Sequence, residues 1–341
     1  MIVLGIESTC DETAASIVKD GNTILSNVIA SQTALHEPFG GVYPELASRS
    51  HINAITAVIE RALSDANISI DQIDLIAVAK GPGLIGSLLI GLNAAKGLSI
   101  ALDKPFIGIN HVEAHLYAAM MGSKDPILPA LGVVVSGGHT FLVWIDAIGK
   151  YTLIGTTVDD AIGEAFDKVA IMLGLLYPGG PAIETLALKG DPKKYKFKAG
   201  VVKERPFNFS FSGLKTNVYY MIYGQNGSDQ KKMTLSDQEK ADIAASFQQT
   251  AFTDIIQKCQ LALKHYPCQA IYFGGGVSNN LYLKEMMKQA LPDTELCFPS
   301  LGLSLDNAAM IAGLGFHVFQ NNQCQGDSLS LEPQTRIPLT S

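Results

Sequence analysis

The sequence has few features of a secreted or membrane-spanning protein. Its five cysteines are scattered and form no Cys-x-x-Cys pair, a pattern typical of reduced thiols in the cytoplasm. The first residues, MIVLGIESTCDE, carry no early positive charge and place Glu7 within their apolar stretch, so we expect no signal peptide. The longest apolar segment, Leu84 to Leu102, contains Asn93 and Lys96, which favours a buried helix over a membrane span.

Two common catalytic motifs are also missing. There is no GxxxxGK[ST] phosphate loop and no GxSxG nucleophile elbow, which argues against a P-loop nucleotidase and a serine hydrolase of that type. GPGLIG at 81–86 matches the dinucleotide fingerprint, but the acidic residue that should end the next strand is absent, because Asp103 precedes that strand. We therefore expect this motif to pack a helix closely against a sheet.

Positive charge is scarce except in one segment. The net charge is -7, so the surface as a whole does not indicate nucleic-acid binding. The exception is KGDPKKYKFKAGVVKER at 189–205, where Tyr195 and Phe197 alternate with lysines. The segment is either a solvated loop or a contact for a polyanion. Its central lysines are Lys193, Lys194, Lys196 and Lys198.

The order of elements predicts an α/β protein with two related lobes. The 341 residues are 47% hydrophobic and 17% charged, enough for about two domains with cores of their own. A strand, a polar turn and a second strand open the chain as IVLGIE, STCDET and AASIVK. The same plan returns near the middle as LGVVV, SGGHT and FLVWI, which suggests an internal duplication.

Three glycine-rich turns follow predicted strands. They are SGGHT at 136–140, PGGP at 178–181 and GGGVSNN at 274–280. Glycine allows backbone amides to approach an anion, and such turns bind phosphate at helix N-termini without a lysine. Together with the acidic turn STCDET, they predict a cleft that holds a nucleotide between two lobes.

The segment INHVEAHLYAAM at 109–120 contains a possible metal site. Asn110 is a good N-cap, so a helix should begin near His111 and place His111 and His115 on one face. Glu113 lies about 200° away at helical spacing, so the order HxExH cannot supply the geometry of the protease motif HExxH. The histidines either share a metal with a third ligand from elsewhere, or are ordinary surface or core residues.

Ten long segments occur along nearly the whole chain. In chain order they are GIESTCDETAASIV, GGVYPELASRSH, GPGLIGSLLIG, HVEAH, VSGGHT, DDAIGEAFDKVA, YPGGP, FSFSGLKT, GGGVSNN and LDNAAMIA. Together they resemble the TsaD family, the universal tRNA threonylcarbamoyladenosine-forming proteins once labelled O-sialoglycoprotein endopeptidases. The resemblance is specific because the motifs are long.

The resemblance implies a fold and a set of site residues. The family has the two-lobed actin/Hsp70-like (ASKHA) fold, with duplicated RNase H-like domains and a nucleotide cleft between them. Its one divalent metal, usually iron with zinc as the alternative, would be held by His111, His115 and Asp306. The residues implied in binding the adenylate are Val134, Val135, Ser136, Gly137, Gly138, Asp167, Gly180, Asn280 and, more weakly, Glu184.

The implied reaction transfers threonylcarbamoyl from threonylcarbamoyl-AMP to the exocyclic amine of the adenosine 3′ of the anticodon. The tRNAs concerned read codons beginning with A. Our hypothesis is that Asp11 or Glu12 removes the proton of the amine, and that the lysines of 189–205 contact tRNA. Family members work with a paralogous metal-lacking subunit (TsaB-like) and a small ATPase (TsaE-like).

The sequence also leads us to expect a particular division into lobes and leaves one alternative function open. We expect a first lobe over 1–125, with a C-terminal helix from about 304–341 packing back on it, and a second lobe over 126–303. The alternative function is an ATPase or a nucleotide-sensing scaffold of the same fold, which would account for the glycine turns but not for the pair of histidines.

Overall fold

The first half of the chain forms a five-stranded mixed sheet. The computed structural model describes residues 1–123, 125–224, 235–300 and 302–337. The strands are β1 (Ile2–Glu7), β2 (Glu12–Lys19), β3 (Thr23–Ser31), β4 (Leu75–Gly81) and β5 (Phe106–Asn110). Their order is β3-β2-β1-β4-β5; β2 is antiparallel to both of its neighbours, β1 and β3, while β4 and β5 are parallel to β1.

The second half repeats this sheet. Its strands are β6 (Ala130–Val135), β7 (Thr140–Ala147), β8 (Lys150–Thr156), β9 (Ala270–Gly274) and β10 (Glu295–Cys297). The order is β10-β9-β6-β7-β8, and each strand has the same direction relative to β6 as its counterpart has to β1. The predicted duplication and the two-lobed α/β fold are therefore confirmed.

Helices cover both sheets. Within the described residues they are α1 (Thr33–His36), α2 (Pro44–Ala66), α3 (Ile85–Leu102), α4 (His111–Ala118), α5 (Ile162–Met172), α6 (Gly179–Ala187), α7 (Ser212–Tyr223), α8 (Asp237–His265), α9 (Leu281–Ala290) and α10 (Ala308–Asn321). The longest helix, α8, begins with a capping box in which Ser236 and Glu239 satisfy each other's backbone N–H groups.

Three apolar clusters hold the lobes and join them. One lies between the first sheet and helices α2 and α3, and another fills the second lobe around α5 to α9. The third cluster includes residues of both sheets together with α4 and α10. Helices α4 and α10 therefore lie at the junction of the two lobes, which is where the predicted metal ligands are.

The C-terminal helix is shorter than expected. It ends at Asn321, and residues 322–337 contain no helix, so the expected helix from about 304 to 341 is wrong beyond this point; residues 338–341 lie outside the described part. The tail nevertheless returns to the first lobe, where the backbone N–H of Gln334 donates to Lys80 and that of Asp327 donates to Phe106. Backbone polar groups satisfied in this way hold an extended chain without a helix.

Helix α3 differs in part from the expectation of a buried helix. Among the described helices it alone is long and apolar enough to cross a membrane by length and composition. One face, including Leu88 and Leu92, is buried against β4 and α2, while Ile85 and Ile100 are exposed. Just before it, a Cβ on Gly83 would lie 2.6 Å from the carbonyl oxygen of Thr9, so GPGLIG brings its backbone close to the turn between β1 and β2 and not to a strand of the sheet.

Candidate metal centre and nucleotide cleft

The metal candidates lie where α4 meets the residues before α10. Asn110 caps α4, because its side chain accepts the N–H of Val112 at 3.0 Å. The cap fixes the first turn, and the imidazole rings of His111 and His115 lie on one face with centroids 4.6 Å apart. Asp306 approaches this face from the other end of the chain.

One carboxylate oxygen of Asp306 faces both histidines. Oδ1 of Asp306 lies 3.5 Å from Nε2 of His111 and 3.1 Å from Nε2 of His115. One donor atom from each of the three residues lies within 4.8 Å of the others, so they can share a single ion. Two imidazoles and one carboxylate are a ligand set for zinc or for iron(II), and three protein ligands leave coordination positions open.

Glu7 orients the first histidine. It is fully buried at the end of β1, and its Oε2 lies 2.9 Å from Nδ1 of His111. A carboxylate on one ring nitrogen holds the imidazole and leaves Nε2 for a metal, as is usual around metal-binding histidines. Burial opposes a charge on His111, but Glu7 and Asp306 outweigh it and raise the pKa of His111 to about 9.

The chemistry of the donor atoms fits a metal ion. Both ring nitrogens of His115 are buried, and neither makes a hydrogen bond within the part of the chain that the structure describes, although Nε2 lies close to Asp306. A buried polar atom without a partner has lost water without a replacement, which a metal would supply. Burial opposes the charge on Asp306, but His111 and His115 hold the pKa of this carboxyl well below its usual range.

Glu113 takes no part in this centre. Its Oε1 accepts a hydrogen bond from Asn110 at 3.3 Å, and burial raises its pKa to about 7 despite the nearby charge of Lys80. The predicted separation of Glu113 from the two histidines agrees with the structure, because its partners lie on the side of β4 and not at Asp306. The geometry of an HExxH protease is absent from this helix.

The acidic turn STCDET lies beside the metal candidates. Burial, together with the charges of Asp306 and Asp167, raises the pKa of Asp11 to about 6. Burial also raises the pKa of Glu12 to about 7, although the hydroxyl of Ser31 donates a hydrogen bond to Oε1 at 2.8 Å. Both carboxyl groups can therefore exchange a proton near neutral pH.

Two of the predicted substrate-binding turns meet at the end of β6. Val134 and Val135 are buried in that strand, and the turn from Ser136 to Gly138 leaves it towards open space. A Cβ on Gly275, in the GGGVSNN turn, would lie 2.5 Å from the carbonyl oxygen of Val135. The two turns can pack this closely because Gly275 has no Cβ.

The third turn is attached to Asp167. The N–H of Gly179 donates to Oδ1 of Asp167 at 2.7 Å, and burial raises the pKa of Asp167 to about 6. Gly180 begins the open N-terminal end of α6. Asp167 and the turn that contains Gly180 therefore lie together, close enough to Asp11 for the charge of Asp167 to raise the pKa of that carboxyl.

The side chains of Glu184 and Asn280 make hydrogen bonds within the protein that the sequence does not indicate. Oε1 of Glu184 accepts the N–H of Leu281 at 2.7 Å. The amide of Asn280 caps α9 through Leu283 and donates to Gln248 at 3.0 Å. Glu184 lines a cavity of about 530 Å³ between α6, α8 and α9. Asn280 directly precedes Leu281, which also lines this cavity. This volume suits a small organic group.

The predicted basic contact is exposed. Lys193, Lys194, Lys196 and Lys198 all lie on the surface of the second lobe. In contrast, Tyr195 and Phe197 pack against the core of that lobe. The alternation found in the sequence therefore separates a charged outer edge from two partly buried aromatic rings that anchor the segment.

Three residues of the cleft were not predicted from the sequence. Glu7 sits in an apolar strand, where a carboxylate is itself a signal of function. The ring of His139 lies 6.4 Å from that of His111, and burial together with the charges of His111 and His115 lowers its pKa to about 4. Tyr177 lies close enough to Asp11 and Asp167 for their charges to help burial raise its pKa.

The fold and the site define a class of protein. Two related lobes, each built on the same five-stranded sheet, are the actin/Hsp70-like architecture, here with a His/His/Asp cluster that could hold a metal at their junction. Comparison with known sequences then gives the family. The family model described as TsaD, tRNA N6-adenosine threonylcarbamoyltransferase, matches residues 23–313. The chain therefore belongs to the TsaD family.

Curated relatives match along the full length. A tRNA N6-adenosine threonylcarbamoyltransferase of Protochlamydia amoebophila (strain UWE25) is 60% identical over 342 residues, covering 100% of this chain and 99% of the relative. One of the same name from Chlamydia felis (strain Fe/C-56) is 50% identical, covering 94% and 92%. Among solved structures, component A of the (R)-2-hydroxyglutaryl-CoA dehydratase of Acidaminococcus fermentans aligns with a TM-score of 0.53 at 14% identity, covering 95% and 99%. This last likeness concerns the fold alone.

Proposed function

We propose that this chain transfers threonylcarbamoyl from threonylcarbamoyl-AMP to the exocyclic amine of the adenosine 3′ of the anticodon in tRNAs that read codons beginning with A. Membership of the TsaD family supports the reaction. The observation that carries the proposal is the convergence of Asp306 on His111 and His115. A phosphoryl-transferring ATPase of the same fold has no need of two imidazoles, because magnesium prefers oxygen ligands.

His111, His115 and Asp306 would hold one divalent metal, iron or zinc. When bound, the metal supplies a Lewis acid that polarises and orients the threonylcarbamoyl carbonyl. Glu7 fixes the ring of His111, and the buried first turn of α4 fixes the spacing of the two imidazoles. These contacts hold Nε2 of His111 and Nε2 of His115 towards the same oxygen of Asp306, where an ion would be bound.

The three glycine turns would hold the adenylate. Backbone N–H groups of Gly137 and Gly138 would donate to the phosphate, while that of Ser136 donates to the carbonyl oxygen of His139 and closes the turn. Asp167 and Glu184 would accept from the ribose hydroxyls. Gly180 opens the N-terminal end of α6 towards the same space. Asn280 would contribute by fixing the start of α9 at the wall of the cavity, because its side chain already caps that helix.

The transfer forms one bond and breaks another. The amine nitrogen of adenosine attacks the carbamoyl carbon, the bond from that carbon to the phosphate oxygen breaks, and AMP leaves. The amine must also lose a proton, and we propose that Asp11 or Glu12 accepts it. Their pKa values of about 6 and about 7 suit this role near neutral pH.

We further propose a tRNA contact, two partner proteins, a cellular location and a division into lobes. The exposed lysines from Lys193 to Lys198 would contact tRNA phosphates. A TsaB-like paralogous subunit and a TsaE-like ATPase would be its partners, a proposal that rests on the family resemblance. The five unpaired cysteines support a cytoplasmic location. The repeated sheets support a division into 1–125, with the C-terminal segment packed on it, and 126–303.

The test is nucleoside mass spectrometry of unmodified tRNA incubated with threonylcarbamoyl-AMP, the partner proteins and this chain. We expect threonylcarbamoyladenosine with the wild type and with His265→Ala, whose histidine is exposed at the end of α8, but not with His111→Ala. Equal product from all three would contradict the role of the metal centre. No product from any, with partners of proven competence, would favour the ATPase or scaffold function.

A further inference from the structure

An exposed aromatic segment lies between β3 and α2. Residues 33–43, which we call the aromatic segment, contain α1, a 3₁₀ turn over Glu37–Phe39 and two glycines. The side chains of Leu35, Phe39 and Tyr43 are 42%, 56% and 46% exposed. The rings of Phe39 and Tyr43 lie 5.3 Å apart. Grouped exposure of large apolar side chains marks a binding surface.

The aromatic segment borders the cleft on both sides. Just before it, the N–H of Gln32 donates to the carbonyl oxygen of Asp11 at 3.1 Å. Beyond its 3₁₀ turn, a Cβ on Gly40 would lie 3.5 Å from Cδ1 of Ile171. Ile171 is one helical turn beyond Asp167 in α5 and is 54% exposed. The aromatic segment therefore reaches from the acidic turn to the second lobe across the rim of the cleft.

Buried polar contacts hold the aromatic segment in place. His36 is fully buried; its Nδ1 accepts the N–H of Tyr43 at 3.2 Å, and its Nε2 lies 3.2 Å from Oε1 of Gln32. Gln32 in turn contacts His51, whose Nε2 lies 3.0 Å from the carbonyl oxygen of Cys10. Hydrogen bonds therefore connect the backbone of the aromatic segment to the STCDET turn, and they fix the positions of the exposed rings before anything binds.

The composition of the aromatic segment suits contacts to bases and not to phosphates. The stretch SQTALHEPFGGVYPE at 31–45 contains no lysine or arginine and carries Glu37 and Glu45. Such a surface repels phosphates, yet its aromatic rings suit bases. Sequence-tolerant stacking on aromatic side chains is how proteins hold unpaired bases of RNA. The rings of Tyr195 and Phe197 are partly buried against the core of the second lobe, so they offer less open surface than those of Phe39 and Tyr43.

We infer that Phe39 and Tyr43 form a stacking platform for anticodon-loop bases next to the target adenosine. This inference rests on the proposed function, since the amine of that adenosine must reach the cleft between Asp11 and the metal centre. Taking one base out of the loop leaves its neighbours unstacked. The aromatic rings at the rim take up these neighbours, while the lysines from Lys193 to Lys198 supply the contacts to phosphate.

The test uses a series at Phe39 in the full chain with its partners. Phe39→Ala removes the ring, Phe39→Leu keeps an apolar side chain without a ring, and Phe39→Trp keeps a stacking face. We expect the first two to raise the KM for tRNA about tenfold or more, with the KM for threonylcarbamoyl-AMP unchanged, and the third to restore it. The dependence of tRNA affinity on salt should not change, because no phosphate contact is lost.

The matched control is Tyr220→Ala, which removes a 45% exposed ring from α7. Circular dichroism and thermal melting check that each variant folds. A Phe39→Leu variant equal to the wild type would overturn the stacking role. So would an unchanged KM for tRNA in Phe39→Ala combined with loss of partner capture, which would make the segment a protein-docking surface.

Binding of an anticodon stem-loop, measured by anisotropy without the adenylate, separates this inference from the proposed function. Phe39-dependent binding by a chain that makes no threonylcarbamoyladenosine would leave the platform standing and remove the reaction. If the chain forms threonylcarbamoyladenosine but its binding and kinetics do not depend on Phe39, the proposed function is supported and the stacking platform is overturned.

Discussion

Oδ1 of Asp306 lies 3.1 Å from Nε2 of His115, which joins the residues before the last helix to a helix from the middle of the chain. The contact unites side chains that no local pattern in the sequence connects. It also places the candidate metal centre where the two lobes meet, so that a bound ion would stabilise both the site and the packing of α4 against α10.

Replacement of Asp306 by alanine should abolish stoichiometric metal binding, because the two histidines would lose the carboxylate that faces them both. Elemental analysis of purified protein measures this directly. Wild-type protein should also gain about 2.7 kcal/mol of unfolding free energy when the free metal is at about 100 times its dissociation constant, and the variant should gain none. His265→Ala, with its exposed histidine, is the control and should keep the metal. Retention of metal by Asp306→Ala would contradict the assignment.

Replacement of Glu7 by glutamine should weaken metal binding about 10- to 100-fold without removing a ligand. Glutamine keeps the shape of the side chain but loses the charge that favours the required tautomer and orientation of His111. Metal titration against a competing chelator gives the affinity. The matched control is Glu113→Gln, which removes a half-buried carboxylate on the far face of α4. Equal affinities for the two variants would show that Glu7 does not orient the ligand.

The role of Glu12 predicts a dependence of rate on pH. Deprotonated Glu12 would accept the amine proton, so the rate of transfer should rise as pH increases through about 7 and then level off. In Glu12→Gln this rise should be lost and the rate should fall about 100-fold or more. Glu60→Gln, which changes an exposed carboxyl group on α2, serves as control. A Glu12→Gln variant with the wild-type profile would transfer the role to Asp11 or to water.

Stability should respond to pH through the same group in the opposite direction. The pKa of Glu12 is about 7 in the folded chain and 4.5 for an ordinary glutamate, so the folded state binds the proton more tightly. Between these values the folded state holds more protons than the unfolded state, and the free energy of unfolding falls as pH rises. Denaturant titrations should give a smaller fall for Glu12→Gln than for the wild type over this range. Identical slopes would mean that Glu12 titrates normally.

Charge reversal in the basic segment should weaken tRNA binding and alter its dependence on salt. A Lys193→Glu, Lys196→Glu double variant should lower the affinity and reduce the slope of log affinity against log salt by about one for each lost phosphate contact. The affinity for threonylcarbamoyl-AMP should stay unchanged. Lys19→Glu, at the exposed end of β2, is the control. Normal tRNA binding by the double variant would make the segment a solvated loop.

The sequence predicted the fold through patterns that depend on neighbours in the chain. Strands β1, β2, β6 and β7 and the cap at Asn110 could be predicted because alternation and capping are local properties. The histidine pair followed from helical spacing. Asp306 came only from family resemblance, because no spacing links it to α4.

Other features could not be predicted because they depend on distant packing. Glu7 reads as part of an apolar strand, and only the approach of α4 makes it the partner of His111. The amide of Asn280 is already used to cap α9, which no motif reveals. The tail after Asn321 follows β4 and β5 by backbone hydrogen bonds that carry almost no signature in side chains.

Helix α10 covers a sheet whose strands lie far before it in the chain. A Cβ on Gly5 would lie 2.2 Å from the carbonyl oxygen of Ala308, so the first strand is shaped to receive a helix that is translated after every described strand. The described strands of the second lobe are complete at Cys297, whereas one face of the first sheet lacks this cover until α10 has been translated. A truncated chain ending before Asp306 therefore lacks both the cover and one of the three candidate metal ligands.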